Sequence, residues 1–223
     1  EEAAKAPNDP NAQGRKKHAG DAIFEDVNND GQLDSKDMKF MGYIRPDKVG
    51  GIVNSFKYKG LTVRVVMDWA MGHVIDNGFK GQIMGSSRNN NNAIKDAMTN
   101  SWQSANDGTK YPKYTVQSDY DYQYRNHMRW DNQIGSSESG STNNSLYFSK
   151  GDYLAFREVS LSYMLPSTWV RKIRLSGVEV FAGAYNIGYI KKYDGMFPEI
   201  YTGVDYGVYP RPRQYNMGVK INF

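Results

Sequence analysis

Oxygen-bearing side chains recur at a fixed spacing in one stretch of this chain, DVNNDGQLDSKD at residues 26–37. Asp26, Asn28, Asp30, Gln32 through its carbonyl, Asp34 and Asp37 fall on the first, third, fifth, seventh, ninth and twelfth positions of an EF-hand-type calcium loop, and Gly31 stands sixth, where the sharp turn falls. Hard oxygen donors at these intervals suit a calcium ion, and Leu33 can anchor the loop in an apolar contact. The last donor is Asp where a sensor loop has Glu, a shorter arm that suits a structural ion better than a switch. The competing reading is an Asx-rich turn that closes on its own backbone and needs no ion. No flanking helices are legible on either side.

A second group is aromatic. YDYQYRNHMRWD, residues 120–131, brings Tyr120, Tyr122, Tyr124 and Trp130 close together. Flat ring faces suit sugars, whose C–H groups pack on them while hydroxyls bond to nearby Asp, Asn and Arg. Aromatics also hold loops together and pack against partner proteins. Catalysis finds little support. His18, His73 and His127 are far apart in sequence, and no HExxH, GxSxG, phosphate-binding or dinucleotide fingerprint occurs. No pair of acids is singled out for proton transfer, so the expectation is a protein that is not an enzyme.

Composition narrows the setting for these groups. The 223 residues suffice for one or two domains with a sizeable core. Hydrophobic residues make up 39% and the mean hydropathy is −0.71, yet aromatics reach 13% with 17 Tyr, a pairing that suits strands and aromatic-rich loops. Cysteine is absent, which removes disulfides, thiolate metal sites and cysteine nucleophiles together. The formal charge of +4 is spread among 24 acids with no dense basic tract, which fits a solvated surface and gives no reason to expect nucleic acid. No apolar core of a signal peptide is present in EEAAKAPNDPNAQGRKKHAG. Apolar runs such as Val65-Val66-Met67 are far short of the roughly 18 to 20 residues of a spanning helix. A transmembrane strand needs only about 9 to 11 residues and buries one face, so hydropathy barely registers it.

Strand periodicity is what positions these groups. In LTVRVVMDWAMG, residues 61–72, Leu61, Val63, Val65, Met67, Trp69 and Met71 alternate with Thr62, Arg64, Asp68 and Gly72, broken only by Val66 and Ala70. Residues 214–223 repeat the pattern, with Tyr215, Met217, Val219, Ile221 and Phe223 on one face and Asn216, Gly218, Lys220 and Asn222 on the other. KVGGIVNSFKY (48–58) forms a hairpin with the strand at 61 through Lys59-Gly60. YLAFREVSLSYML (153–165) changes phase in its middle, which a bulge near Arg157-Glu158 explains, as does a first part standing above a membrane. In RLSGVEVFAGAYNI (174–187) both faces carry apolar residues, and the outward one is not legible.

Connections alternate between short and long. Lys59-Gly60 and PSTWVRKI (166–173) are short, whereas 1–47, 73–150 and 188–213 are long. An up-and-down sheet puts all the short connections at one end, the asymmetry of bacterial outer-membrane barrels with short periplasmic turns and long extracellular loops. In the 73–150 connection, NNAIKDAMTNSWQ spaces Ile94, Ala97, Met98, Ser101 and Trp102 as a helix would, while NNNN at 89–92 and GSSESGSTNNS at 135–145 are polar. Five strands cannot close a barrel, and an open edge is not tolerated in lipid. The expectation is therefore an all-β chain, the C-terminal strands of a larger transmembrane antiparallel β-barrel. Residues 1–47 would form an extracellular loop with the calcium-type segment, and 48–223 the strands with extracellular loops at 73–150 and 188–213.

Several runs now resemble one family. YLAFREVSLSYMLPSTW, AYNIGYIKKYDGMFPE and GVDYGVYPRPRQYNMGVKINF are similar to the C-terminal end of SusC/RagA-type TonB-linked outer-membrane transporters. That family shows a "YLRLKNVTLGYTLP"-like strand, a "NLFTxTKYxGYDPE"-like segment and a "YPxPRTYxxGLNxxF"-like finish. Upstream, GDAIFEDVNNDGQLDSKDMKFMGY resembles "GDIKYKDLNGDGVID" and KYKGLTVRVVMDWAMG resembles "YKGFDLS", in the family's order and over most of residues 20–223. One departure is Met196-Phe197 before Pro198-Glu199, where the family has an aromatic and Asp.

The resemblance implies a 22-stranded barrel with an N-terminal plug, a TonB-contacting segment and a SusD-like surface lipoprotein as lid. It implies TonB-driven import of oligosaccharides or peptides. It also implies an assembly signal for the barrel-assembly machinery at Tyr215, Met217, Val219, Ile221 and Phe223, and contact with outer-membrane lipid. The remaining N-terminal part of the barrel and plug would be the partner of these strands. The alternative from a different class is an extracellular calcium-stabilised β module that binds glycans. Fractionation separates the two, because only the first belongs in the outer membrane.

Overall fold

The computed structural model describes residues 3–8, 16–80, 86–87, 95–105, 108–109, 111–116 and 145–223. The strands in chain order are β1 (Lys48–Tyr58), β2 (Leu61–Met71), β3 (Val74–Asp76), β4 (Ser86–Ser87), β5 (Thr115–Val116), β6 (Phe148–Lys150), β7 (Tyr153–Met164), β8 (Gly177–Lys191) and β9 (Gln214–Asn222). The chain divides into two compact units. One gathers loop segments, 1–42, 75–149 and 200–207, and the other gathers the long strands, 43–74, 150–199 and 208–223.

The strand unit is one sheet in the order β1-β2-β7-β8-β9, with every neighbour antiparallel. β-branched and aromatic residues make this sheet, because their side chains pack well on a pleated surface. Lys59 (φ 47°) and Gly60 (φ 88°) close the first hairpin in the left-handed region, the geometry of a two-residue hairpin turn whose twist matches its strands. Directly opposite residues share a face. Phe56, Val63, Leu161, Ala182 and Met217 therefore stand in one row across the sheet, and Ser55, Arg64, Ser160, Gly183 and Asn216 stand in a row on the reverse. The apolar face is uncovered: Phe56, Leu161, Val180, Met217 and Val219 are all exposed.

A bulge resolves the phase change in β7. Val66 pairs with Glu158 and Met67 with Phe156, so Arg157 has no partner on β2, and the register with β8 shifts at the same place. The extra residue restores the alternation. Leu154 and Phe156 pair with Trp69 and Met67, while Val159 and Leu161 pair with Val65 and Val63, so all four lie on the apolar face. Register also decides β8, whose Val178, Val180, Ala182 and Ala184 oppose Ile221, Val219, Met217 and Tyr215. This leaves Glu179, Phe181 and Tyr185 on the polar face.

The loop unit has short elements only. Residues 74–79 and 200–207 run together, with Asp76 N–H bonded to the Gly203 carbonyl, Asp205 N–H to the Asp76 carbonyl and Phe79 N–H to the Asp205 carbonyl. Ala97, Tyr111 and Tyr147 form a small buried cluster with Tyr114 and Leu146 against it. Burial pushes the Tyr147 phenol up, and the neighbouring Tyr111 adds to the shift. Ala97 belongs to a helix of five residues, Lys95–Thr99, shorter than the spacing from Ile94 to Trp102 suggests. The backbone after Thr99 turns instead to pair Ser101 with Tyr111. Among the described residues no helix is long and apolar enough to cross a membrane.

Candidate functional site

The loop 26–37 is built by its own backbone. Asp26 accepts the N–H groups of Asp30 (3.2 Å) and Gly31 (2.7 Å), and Gly31 takes φ 81° to make that approach possible. Asp30 accepts from Gln32 N–H at 2.9 Å and from the Asn28 amide at 2.9 Å. Asp34 caps a 3-10 turn over Ser35–Asp37 in a reciprocal capping box, Asp37 accepting from Asp34 N–H while also reaching Val27 N–H at 2.9 Å. The hydrogen bond from Asp34, outweighing a small burial effect and helped by those from Val27 and Asn28 and by the Lys36 charge, holds the Asp37 carboxyl below its ordinary range. Leu33 is the anchor expected of it, 2% exposed, and pairs with Asn8 through Leu33 N–H to the Asn8 carbonyl and Asn8 N–H to the Gly31 carbonyl.

The six expected donors therefore lie in one loop, held by Asx-type hydrogen bonds. The Lys36 ammonium is 3.6 Å from Asp34 and 4.0 Å from Asp30, so one cation of the chain already neutralises part of the loop. Among the described residues no group of three or more His, Asp or Glu side chains is placed to hold a metal ion. Tyr120, Tyr122, Tyr124 and Trp130, with His127, lie outside the described residues. Tyr215, Met217, Val219 and Ile221 follow one another along the apolar face of β9, and Phe223 stands just beyond it.

A constellation that the sequence did not single out occupies the polar face of the sheet. The bulge turns Arg157 toward Asp68 on β2, Nε to Oδ2 at 2.7 Å, and its Nη1 lies 2.5 Å from Glu199 Oε1. Tyr189 on β8 donates its hydroxyl to the same Glu199 oxygen at 2.7 Å. Arg211 meets the other oxygen at 3.1 Å, so both oxygens of a carboxylate that is 0% exposed are engaged. Phe197 stands where the family pattern has Asp. Its ring meets Tyr189 edge-on at 5.9 Å and lies 5.9 Å from the Arg211 guanidinium, a cation–π contact. Two arginines balance two acids here, although Asp68 meets Arg157 through Oδ2 alone and its Oδ1 is buried without a hydrogen-bond partner among the described residues. The arrangement is a clamp: it fastens Phe197-Pro198-Glu199, in the connection after β8, onto the sheet. Beside it Arg64 and Glu158 make a second pair at 3.4 Å, with Ser160 donating to Glu158.

The strand ends where the long connections depart are fastened separately. Asp152 accepts Gly72 N–H at 2.8 Å and meets Lys192 at 3.2 Å. Burial works against its ionisation, but the Gly72 hydrogen bond and the Lys192 ammonium outweigh it and hold the carboxyl low. His73 is buried beside it, and desolvation draws its pKa down against the Asp152 charge.

No family model matches the chain. It is 25% identical over 216 residues to TonB-dependent receptor P3 of Formosa agariphila, covering 92% of this chain and 19% of that protein. It is 26% identical over 91 residues to the TonB-dependent receptor SusC of Bacteroides thetaiotaomicron, covering 40% of this chain and 9% of SusC. The structure of the RagAB peptide importer in its closed-closed state superposes with a TM-score of 0.60 at 22% identity, over 83% of this chain and 18% of that one. The chain thus spans about a fifth of the length of the first of these relatives. They are receptors and transporters, not enzymes. The five-stranded sheet is a run of strands of an outer-membrane β-barrel, with one apolar and one charged face.

Proposed function

We propose that this chain, part of a SusC/RagA-type TonB-dependent outer-membrane transporter, supplies barrel wall and outer loops to an importer of oligosaccharides or peptides that works beneath a SusD-like surface lipoprotein. The observation that carries this reading is the two-faced meander: an uncovered apolar face, a reverse face bearing Arg64, Asp68, Arg157 and Glu158, and connections that are long at one end only. A lumen wall lined with paired charges and hydroxyls presents hydrogen-bonding groups to a polar cargo. The long connections, with residues 1–47, belong on the extracellular side under this reading, and TonB contact belongs to a part of the transporter beyond these residues.

Uptake by intact cells tests it. Cells lacking the gene are expected to lose uptake of either labelled oligopeptides or labelled oligosaccharides, to regain it with the wild-type gene, and to lose it again when TonB is absent. Uptake of both classes at wild-type levels in the deletion strain would refute the importer reading.

We also infer that calcium joins the loop 26–37 on the extracellular side, using Asp26, Asn28, Asp30, the Gln32 carbonyl, Asp34 and Asp37. The ligand spacing and the turn at Gly31 support this, and Lys36, 68% exposed, is free to swing aside. Millimolar calcium is expected to slow proteolysis between residues 20 and 47 of the wild type, and to have no such effect once Asp26 and Asp30 are both replaced by Ala. Equal protection in both proteins would leave the Asx turns as the whole account of the loop.

A further inference from the structure

The ends of the strands opposite the long connections carry charges that neither the clamp nor the lumen wall uses. The connection from β7 to β8 begins with the helix Ser167–Val170 and continues as a 3-10 turn, Arg171–Ile173, ending on Arg174 in the left-handed region at φ 63°. Val170 is buried and ties the turn down through its carbonyl, which accepts Leu175 N–H at 3.3 Å. Trp169 and Ile173, a helical turn apart, are instead 62% and 64% exposed. Around them Arg171, Lys172 and Arg174 are all exposed. The neighbouring hairpin turn adds Lys59 and is joined here, Met164 N–H donating to the Gly60 carbonyl at 2.9 Å.

The imbalance of charge is local. Across residues 56–62, 163–179 and 218–223 the single acid is Glu179, which lies on the lumen face opposite Lys220. The apolar face nearest this end ends in Tyr58 and Tyr163, both exposed, rings of the kind that sit at headgroup level. Apolar side chains that stand out beside a ring of cations, continuous with a lipid-facing sheet, match the chemistry of a phospholipid surface: acyl chains for Trp169 and Ile173, phosphates for the arginines and lysines.

We propose that the β7–β8 connection, with Lys59, is a binding surface for anionic phospholipid headgroups of the inner leaflet of the outer membrane. This rests on the orientation given under the proposed function, in which short connections face the periplasm. Trp169 and Ile173 enter the interface, and Arg171, Lys172, Arg174 and Lys59 hold the phosphates. The surface fixes the height of this edge of the barrel in the bilayer.

The test uses the whole transporter in nanodiscs of phosphatidylethanolamine with or without phosphatidylglycerol, and after extraction for native mass spectrometry. Retention of phosphatidylglycerol is expected to fall about fivefold for each cation removed in the series R171A, R171A/K172A and R171A/K172A/R174A, and to persist in the charge-keeping R171K/R174K. Quenching of indole fluorescence by lipids brominated near the headgroup is expected in the wild type and reduced in W169F. Unchanged retention through the series, or quenching indifferent to Trp169, overturns the proposal. Orientation is checked independently: these 223 residues contain no cysteine, and with any cysteine elsewhere in the transporter replaced by Ser, S167C should resist a membrane-impermeant maleimide on intact cells and react once the outer membrane is opened. Labelling on intact cells would overturn the orientation itself, whatever the lipid result.

Discussion

Replacing Glu199 with Ala is expected to release the connection between β8 and β9 from the barrel wall and to lower the stability of that region by about 3 kcal/mol, within the range for breaking a buried ion pair from one side. The carboxylate is 0% exposed and is shared by Arg157 at 2.5 Å, Arg211 at 3.1 Å and the Tyr189 hydroxyl, so its loss takes one partner from each of two guanidinium groups and one phenol. Arg157 keeps Asp68, but Arg211 is left over Phe197 alone. Proteolysis of residues 192–213 in the folded transporter, in detergent, measures the release. E199A should be cut much faster than wild type, E199Q less so because it keeps the shape and the Tyr189 contact, and R211A least, since its side chain is half exposed and solvent screens it. Cleavage of E199A at the wild-type rate would show that the clamp does not hold the loop.

A single arginine moved by one residue along β2 should have opposite consequences. Val65 pairs with Asn54 and Val159 on the lipid face, and V65R is expected to destabilise the barrel by about 2–4 kcal/mol, the range for a cation near the bilayer midplane. Val66 points to the lumen and sits opposite Glu158, so V66R should insert at near wild-type levels with its guanidinium beside that carboxylate. The amount of heat-modifiable protein in the outer membrane reports both. Equal losses would mean that the two faces are not lipid and lumen as assigned. The pair is informative because length, charge and strand propensity are the same in both variants, and only the face differs.

What the residues determined by themselves was local. A period of two at 61–72 and 214–223 specifies strands, because successive side chains on a pleated backbone must point to opposite faces. The alternation of short and long connections gave the up-and-down order before any pairing was known, and Leu33 was legible as an anchor because an apolar residue amid donors gains by leaving water. The phase break at Arg157-Glu158 called for either a bulge or a first part standing above the membrane, and β7 has the bulge there. Three things needed the fold. The face of β8 was illegible because Val and Ala alternate with Phe and Tyr, and only register against β7 and β9 assigned them. The short helix at Lys95–Thr99 stops where Ser101 finds Tyr111, a contact that no local propensity contains. The clamp joins Asp68 on β2 and Arg157 on β7 to Glu199 and Arg211 of the β8–β9 connection, and sequence gives no measure of which distant charges meet. Any of these residues alone resembles a solvated surface charge. Glu199 becomes something else only because folding buries it between two arginines, where an ion that would be indifferent in water must be paired or lost.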